Sequence, residues 1–192
     1  MKLFMVRHGQ SEANIGTCYT GQTDVKLTQL GEEQAAQIRP ILKDIPFDKV
    51  YCSDLVRASE TCRIALDGAE CEYTKLLREY DVGSLAGIDY RTIERIQSDD
   101  PAEKPDYTAY GGENAIIVGQ RLRQFLDIIE NSNYELVAAF THYGMINRML
   151  RYVTQVHPVS NSIDFGNCSV HVFEFDGEKW RVLALNYMRP LL

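Results

Sequence analysis

The sequence has no excess of positive charge: 20 Lys and Arg stand against 27 Asp and Glu, a formal net charge of -7. An acidic surface is a poor partner for nucleic acid or anionic lipid, both of which reward a basic face. Long apolar runs are missing too, and Leu3 to Val6 is too short for a signal-peptide core before Arg7 and His8 interrupt it. Five cysteines occur (Cys18, Cys52, Cys62, Cys71 and Cys168), yet no Cys-x-x-Cys pair, so their spacing spells neither a zinc knuckle nor a dithiol redox motif. There is no internal repeat, low-complexity tract or linker. What remains is the expectation of one domain over 1–192, cytoplasmic, with reduced thiols and with neither nucleic acid nor membrane as partner. Oligomeric state is not written in these features. A net acidic chain can still bind phosphate where its cations gather.

Apolar runs rich in β-branched or aromatic residues fall at 2–6, 49–52, 71–74, 136–141, 169–175 and 180–187, each bounded by polar or turn-forming residues, and predict strands. Helical spacing appears between them at 28–43, 54–66, 89–98, 113–130 and 144–154. In 113–130 the repeat is carried by Val118, Leu122, Phe125, Leu126 and Ile129. This alternation predicts an α/β sheet covered on both faces. The last two strands are joined by Asp176-Gly177-Glu178 with no helix between, so a hairpin makes the sheet mixed. Residues 98–112 are rich in Pro, Asp and Gly and read as a long loop of the kind that forms lids or substrate walls.

Two segments repeat one arrangement. Val6-Arg7-His8-Gly9 and Phe140-Thr141-His142-Tyr143-Gly144 each run from a strand through a His to a Gly and on toward a helix. Open α/β sheets bind ligands at the carboxyl ends of their strands, so both imidazoles reach one edge. A third strand leads into Ser53-Asp54, a candidate helix N-cap, and Arg57 follows in the first turn, where its side chain leans back toward the same edge. Arg57 alone is equally compatible with a surface pair to Asp54 or Glu60. His157 and His171, outside this pattern, read as hydrogen-bonded structural histidines.

Phosphoryl transfer needs a nucleophile, donors for the equatorial oxygens and an acid for the leaving oxygen. A neutral His8 can attack phosphorus, and the guanidinium forks of Arg7 and Arg57 match phosphate oxygens in pairs. His142, if protonated, and Asn14 can complete the cage. Glu79, in Leu77-Arg78-Glu79-Tyr80 after the third strand, is a candidate acid, although composition does not choose it among the acidic residues.

Together these residues resemble the histidine phosphatase superfamily, the phosphoglycerate mutase-like group. The match includes Arg7-His8-Gly9 with Ser11-Glu12 and Asn14, and Thr20-Gly21-Gln22-Thr23-Asp24 leading to Leu27-Thr28 and Gly31. It runs on through Ser53-Asp54-Leu55 with Arg57-Ala58 and Thr61, Leu77-Arg78-Glu79 with Gly83 and Gly87, Gly111-Gly112-Glu113, and Thr141-His142 with Gly144. The resemblance implies a three-layer α/β/α sandwich on a mostly parallel, mixed six-stranded sheet. It also implies a phosphohistidine on His8, phosphoryl oxygens held by Arg7, Arg57 and His142, Glu79 as general acid and then base, and no metal or other cofactor. Asn14, Thr20, Gly21 and Tyr143 are the candidates for the phosphate and substrate surroundings.

Tyr143, Gln22, Ala13 and Asp81-Val82-Gly83 depart from the family's commoner residues and bear on the substrate surroundings. Mutases of this family carry an added segment with adjacent basic residues, whereas 88–112 here offers Arg91, Arg95 and Lys104 in a net acidic stretch. Hydrolysis of a small phosphomonoester is therefore favoured over mutase-type transfer. A silent phospho-ligand binder is disfavoured because it has no use for Glu79. Tyr80, Tyr90, Tyr107, Tyr110 and Tyr143 lie on segments that can wall a pocket for a planar or apolar leaving group, or can simply cover the sheet edge.

Overall fold

The computed structural model describes residues 1–156 and 163–187. Six strands form one sheet: β1 (Lys2–Arg7), β2 (Lys49–Ser53), β3 (Glu72–Thr74), β4 (Leu136–Thr141), β5 (Val170–Phe175) and β6 (Trp180–Tyr187), in the order β3-β2-β4-β1-β5-β6. The pairs β3/β2, β2/β4 and β4/β1 are parallel, and β5 runs antiparallel to both β1 and β6, so the sheet is mixed as expected.

The period-2 pattern of the strands sorts their side chains between two cores. Leu3, Met5, Val137 and Ala139 point to one face, where they meet α4 (Ala115–Glu130) and α5 (Tyr143–Thr154) through Val118, Leu122, Phe125 and Met149. Val6, Ala138, Phe140 and Cys52 point to the other, against α2 (Gln29–Leu42) and α3 (Val56–Ala65). The result is the three-layer α/β/α sandwich that the strand and helix pattern implied. Full burial of a side chain such as Phe125 is worth roughly 1.5–3 kcal/mol, and truncating it to Ala costs roughly 3–5 kcal/mol once the cavity is included.

Neighbouring strands β1 and β4 send their following helices, α2 and α5, to opposite faces. That divergence opens a crevice at their carboxyl ends, the usual ligand position in such sheets. A short α1 (Glu12–Ile15), which the apolar spacing did not mark, turns the chain after β1. The start of α2 then docks on that turn with backbone against backbone. A Cβ on Gly31 would lie 2.0 Å from the Gln10 carbonyl oxygen, and one on Gly9 2.5 Å from that of Gly31.

One expected helix is absent. Residues 89–98 form no helix, because the backbone of Ile88 and Tyr90 bonds to Tyr19 and Thr17, and the Asp89 carboxylate takes the Arg91 N–H, its guanidinium and the Thr17 hydroxyl. Such local and tertiary bonds compete with the helical ladder. Residues 98–112 are the expected loop, with one 3-10 turn at Thr108–Tyr110. No helix among the described residues is long and apolar enough to cross a membrane.

Candidate active site

Arg7 and Thr141, the last residues of β1 and β4, are register partners, and the His8 N–H continues the ladder to the Thr141 carbonyl at 3.0 Å. The next residues are thus side by side: the rings of His8 and His142 lie 5.1 Å apart, centroid to centroid. His8 is held from both ends. Its Nδ1 meets the Gly9 carbonyl at 2.7 Å, while Gly9 N–H donates to Thr61 Oγ1, which itself donates to the Arg57 carbonyl. A carbonyl only accepts, so the proton of the neutral ring is on Nδ1 and the lone pair is on Nε2. Burial, then the charges of Arg57 and Arg7, push the His8 pKa well below its ordinary 6.5, which keeps the ring uncharged.

His142 is wholly buried, with Nε2 2.8 Å from Ser53 Oγ at the end of β2. Burial and then the Arg57 charge lower its pKa as well, so the free protein holds it neutral rather than protonated. Arg57 points inward instead of pairing with Asp54 or Glu60: its Nη2 donates to the Gly21 carbonyl at 2.8 Å and its Nη1 to that of Thr23 at 3.0 Å. Arg7 donates from Nη1 to the Phe165 carbonyl and lies 5.4 Å from the centre of the Tyr143 ring. Two polar atoms in this group, Arg7 Nε and His142 Nδ1, are buried without a protein partner. An unmet buried polar atom costs about 1–3 kcal/mol, and an oxyanion between these residues would satisfy both.

Glu79 borders the same crevice from the loop after β3. Its Oε1 accepts the Tyr80 N–H at 2.9 Å and its Oε2 the Gly144 N–H, at the start of α5, at 3.1 Å. A Cβ at 144 would come within 2.1 Å of Glu79 Oε1, so the carboxylate can rest there only against bare backbone. Arg121 fixes the loop from behind, donating to the carbonyls of Leu76, Arg78 and Glu79 and pairing with Glu113, which also accepts the Asp81 N–H. Arg78 forms a two-pronged pair with Asp54 at 2.6 Å. The Gly112-Glu113 motif therefore buttresses the loop that carries Glu79. Arg121, inside an apolar helical repeat, gave no separate sequence signal.

Two expectations need correction. The Ser53-Asp54 pair does not cap α3: Asp54 is occupied by Arg78, and the Val56 N–H is met by Asp24 Oδ1 at 2.9 Å, across 32 residues. Asn14 is exposed, and its Oδ1 accepts from the Ser11 backbone and hydroxyl and from Asn167 Nδ2, so this oxygen caps α1, while the amide Nδ2 is the end that can donate to an anion. Tyr110 does not wall the crevice, since its hydroxyl takes the Ile96 N–H. His171 is structural as expected, buried between Ser169 Oγ and the Asn186 N–H with its pKa lowered to about 4 by burial. His157 lies outside the described residues.

A cavity of about 810 Å³ is bordered by Glu79, by Gly21, whose carbonyl Arg57 holds, and by Gly144, two residues after His142, while His8 and His142 themselves do not line it. Thr20, Tyr80, Tyr90, Tyr107 and Tyr143 line it, together with Tyr19, which the sequence reading overlooked. Arg95 stands over the Tyr107 ring at 4.6 Å, the cation–π distance, and so presents a positive edge within an aromatic wall.

A model of the histidine phosphatase superfamily (branch 1) matches residues 3–188. The chain is 43% identical over 70 residues to the adenosylcobalamin/alpha-ribazole phosphatase of Salmonella typhimurium, a match covering 36% of this chain and 35% of that one. It therefore spans about a third of that relative's length. To the protein of the same description in Escherichia coli it is 27% identical over 161 residues, 78% of this chain and 77% of the other. The crystal structure of the alpha-ribazole phosphatase from Shigella flexneri superposes with a TM-score of 0.84 at 22% identity, over 98% of this chain and 97% of that one, which bears on the fold alone.

Proposed function

The chain belongs to the histidine phosphatase superfamily, and from that premise we propose that it is a metal-independent phosphatase that hydrolyses a small phosphomonoester through a phosphohistidine on His8. The observation that carries the reading is the tautomer of His8: a buried, neutral ring with Nδ1 tied to Gly9 and the Nε2 lone pair free, beside two guanidinium groups. Nε2 attacks phosphorus as the bond to the leaving oxygen breaks, and Glu79 in its protonated form supplies that oxygen's proton. Glu79 then takes a proton from water, the hydroxide attacks, the P–N bond breaks, and inorganic phosphate leaves with His8 neutral again.

Arg7 and Arg57 supply the positive charge that a metal ion supplies in other phosphoryl-transfer sites. With the Ser53 hydroxyl donating to His142 Nε2, the proton of that ring sits on Nδ1 and donates to a phosphoryl oxygen. Thr20 and Gly21 border the entrance, and Tyr143 holds Arg7 in place through its ring. The aromatic wall supports a leaving group with a planar part, in keeping with the alpha-ribazole phosphatases that the chain resembles.

Phosphate release from an aryl phosphate in EDTA, run beside interconversion of phosphoglycerates primed by the bisphosphate, tests the reading. Rapid release without interconversion is expected. Interconversion would favour a mutase, and neither activity a binder. A quenched turnover mixture should contain acid-labile, alkali-stable phosphoprotein that His8→Ala lacks. A panel of phosphorylated metabolites including alpha-ribazole phosphate then ranks leaving groups.

A further inference from the structure

Three cysteines spread over 20 residues of sequence meet at the far side of the sheet. Cys52 lies on β2, Cys62 on α3 and Cys71 just before β3, and their sulfurs all lie within 4.8 Å of one another. The β2-α3-β3 crossover explains the meeting. The helix packs over β2 and β4 and leads into β3, which pairs with β2, so Cys62 on its underside meets Cys52 and Cys71 on the sheet face that α3 covers. Among the described residues this is the one group of three or more His, Cys, Asp or Glu with metal-ligand spacing, and its donors are all sulfur.

We propose that Cys52, Cys62 and Cys71 form a three-sulfur site for a soft, low-coordinate metal ion, with Cu(I) as the fitting biological ion. Thiolate sulfurs bound to one metal at about 2.3 Å stand a little under 4 Å apart, so the observed spacing closes with a shift of less than an ångström per sulfur. Thiolates select soft ions, and the absence of nitrogen or oxygen donors from the group disfavours zinc or a harder cation, which would need a fourth ligand.

Cys52 and Cys62 are buried, with the Cys52 thiol donating to the Ser53 carbonyl, while Cys71 is partly exposed. The way in is a surface recess of about 470 Å³ bordered by Cys71, Tyr73, Glu60, Glu70 and Arg63. Each thiol that binds the ion as thiolate gives its proton to solvent.

Anaerobic titration of the full chain with Cu(I) as its acetonitrile complex, against bicinchoninate as competitor, tests the site. One equivalent should bind with a near-ultraviolet sulfur-to-copper charge-transfer band and an X-ray absorption spectrum fitted by three sulfurs. Bound copper should also raise the thermal midpoint. Cys71→Ser should lower the affinity about 100-fold and abolish the rise in midpoint. Cys62→Ala is the second variant, with circular dichroism confirming that each variant is folded. Equal affinity in wild type and Cys71→Ser overturns the proposal, as does a wild type that yields its copper to the competitor without a charge-transfer band. Loss of the band in Cys18→Ser would put the copper elsewhere and also overturn it.

Discussion

The floor of the crevice and its outer wall are built by different means. The floor hangs on the ends of β1, β2 and β4: His8, His142 and Ser53 follow directly from strand register, and each is buried in a network of named bonds. The wall comes mostly from 17–22 and 80–112, where no long element occurs and four of the tyrosines stand on turns and loops, and is completed by Tyr143, Asn147 and Arg151 of α5. Position in the floor is set by the sheet and position in the wall by contacts between loops. On the proposed mechanism, chemistry belongs to the first region and choice of substrate to the second.

Substitutions test that division, beginning in the floor. His8→Ala should lower kcat by about 10⁵-fold or more on every substrate, read by steady-state kinetics and by loss of the phosphoprotein. Glu79→Gln should lower kcat about 10²- to 10⁴-fold for an alkyl ester, yet far less for an activated aryl ester whose leaving oxygen needs no proton. Equal losses on the two would take the acid's role from Glu79. Arg57→Lys keeps a charge but loses the fork that holds the Gly21 and Thr23 carbonyls, and should lower kcat/KM about 10²-fold.

In the wall, Tyr107→Ala should raise KM about 10-fold for aryl phosphates and leave glycerol phosphate unchanged. A matching loss of kcat on both would erase the boundary between the two regions. His171, within β5, tests stability rather than turnover. Its folded pKa of about 4 lies below the unfolded 6.5, so its contribution is complete above pH 6.5 and is lost as the pH falls toward 4. The loss amounts to about 3 kcal/mol, and urea unfolding of His171→Gln should show a shallower pH dependence over that range.

The same division governs what could be read without coordinates. The strands were legible because their apolar runs are short and sharply bounded, and the two His-Gly junctions because each follows one of those strands directly. Residues 89–98 carry helical spacing in Ile93 and Ile96, but both side chains are exposed and the segment's polar groups bond to 17–19 instead. Asp24 capping α3, Arg121 bracing Glu79 and Tyr19 entering the wall are all contacts across dozens of residues, for which local spacing holds no trace. The meeting of three cysteines from 52, 62 and 71 is of the same kind.

The two glycines pressed together between the β1 turn and the start of α2 set a rule for anyone altering this protein. The bend that seats His8 is a lock whose parts are bare backbone, with a carbonyl oxygen already standing where a methyl group would go. A library aimed at new substrates can therefore diversify Tyr19, Tyr90, Arg95 and Tyr107 widely. Positions 9 and 31 should be left untouched, because even alanine there would force the turn open from behind.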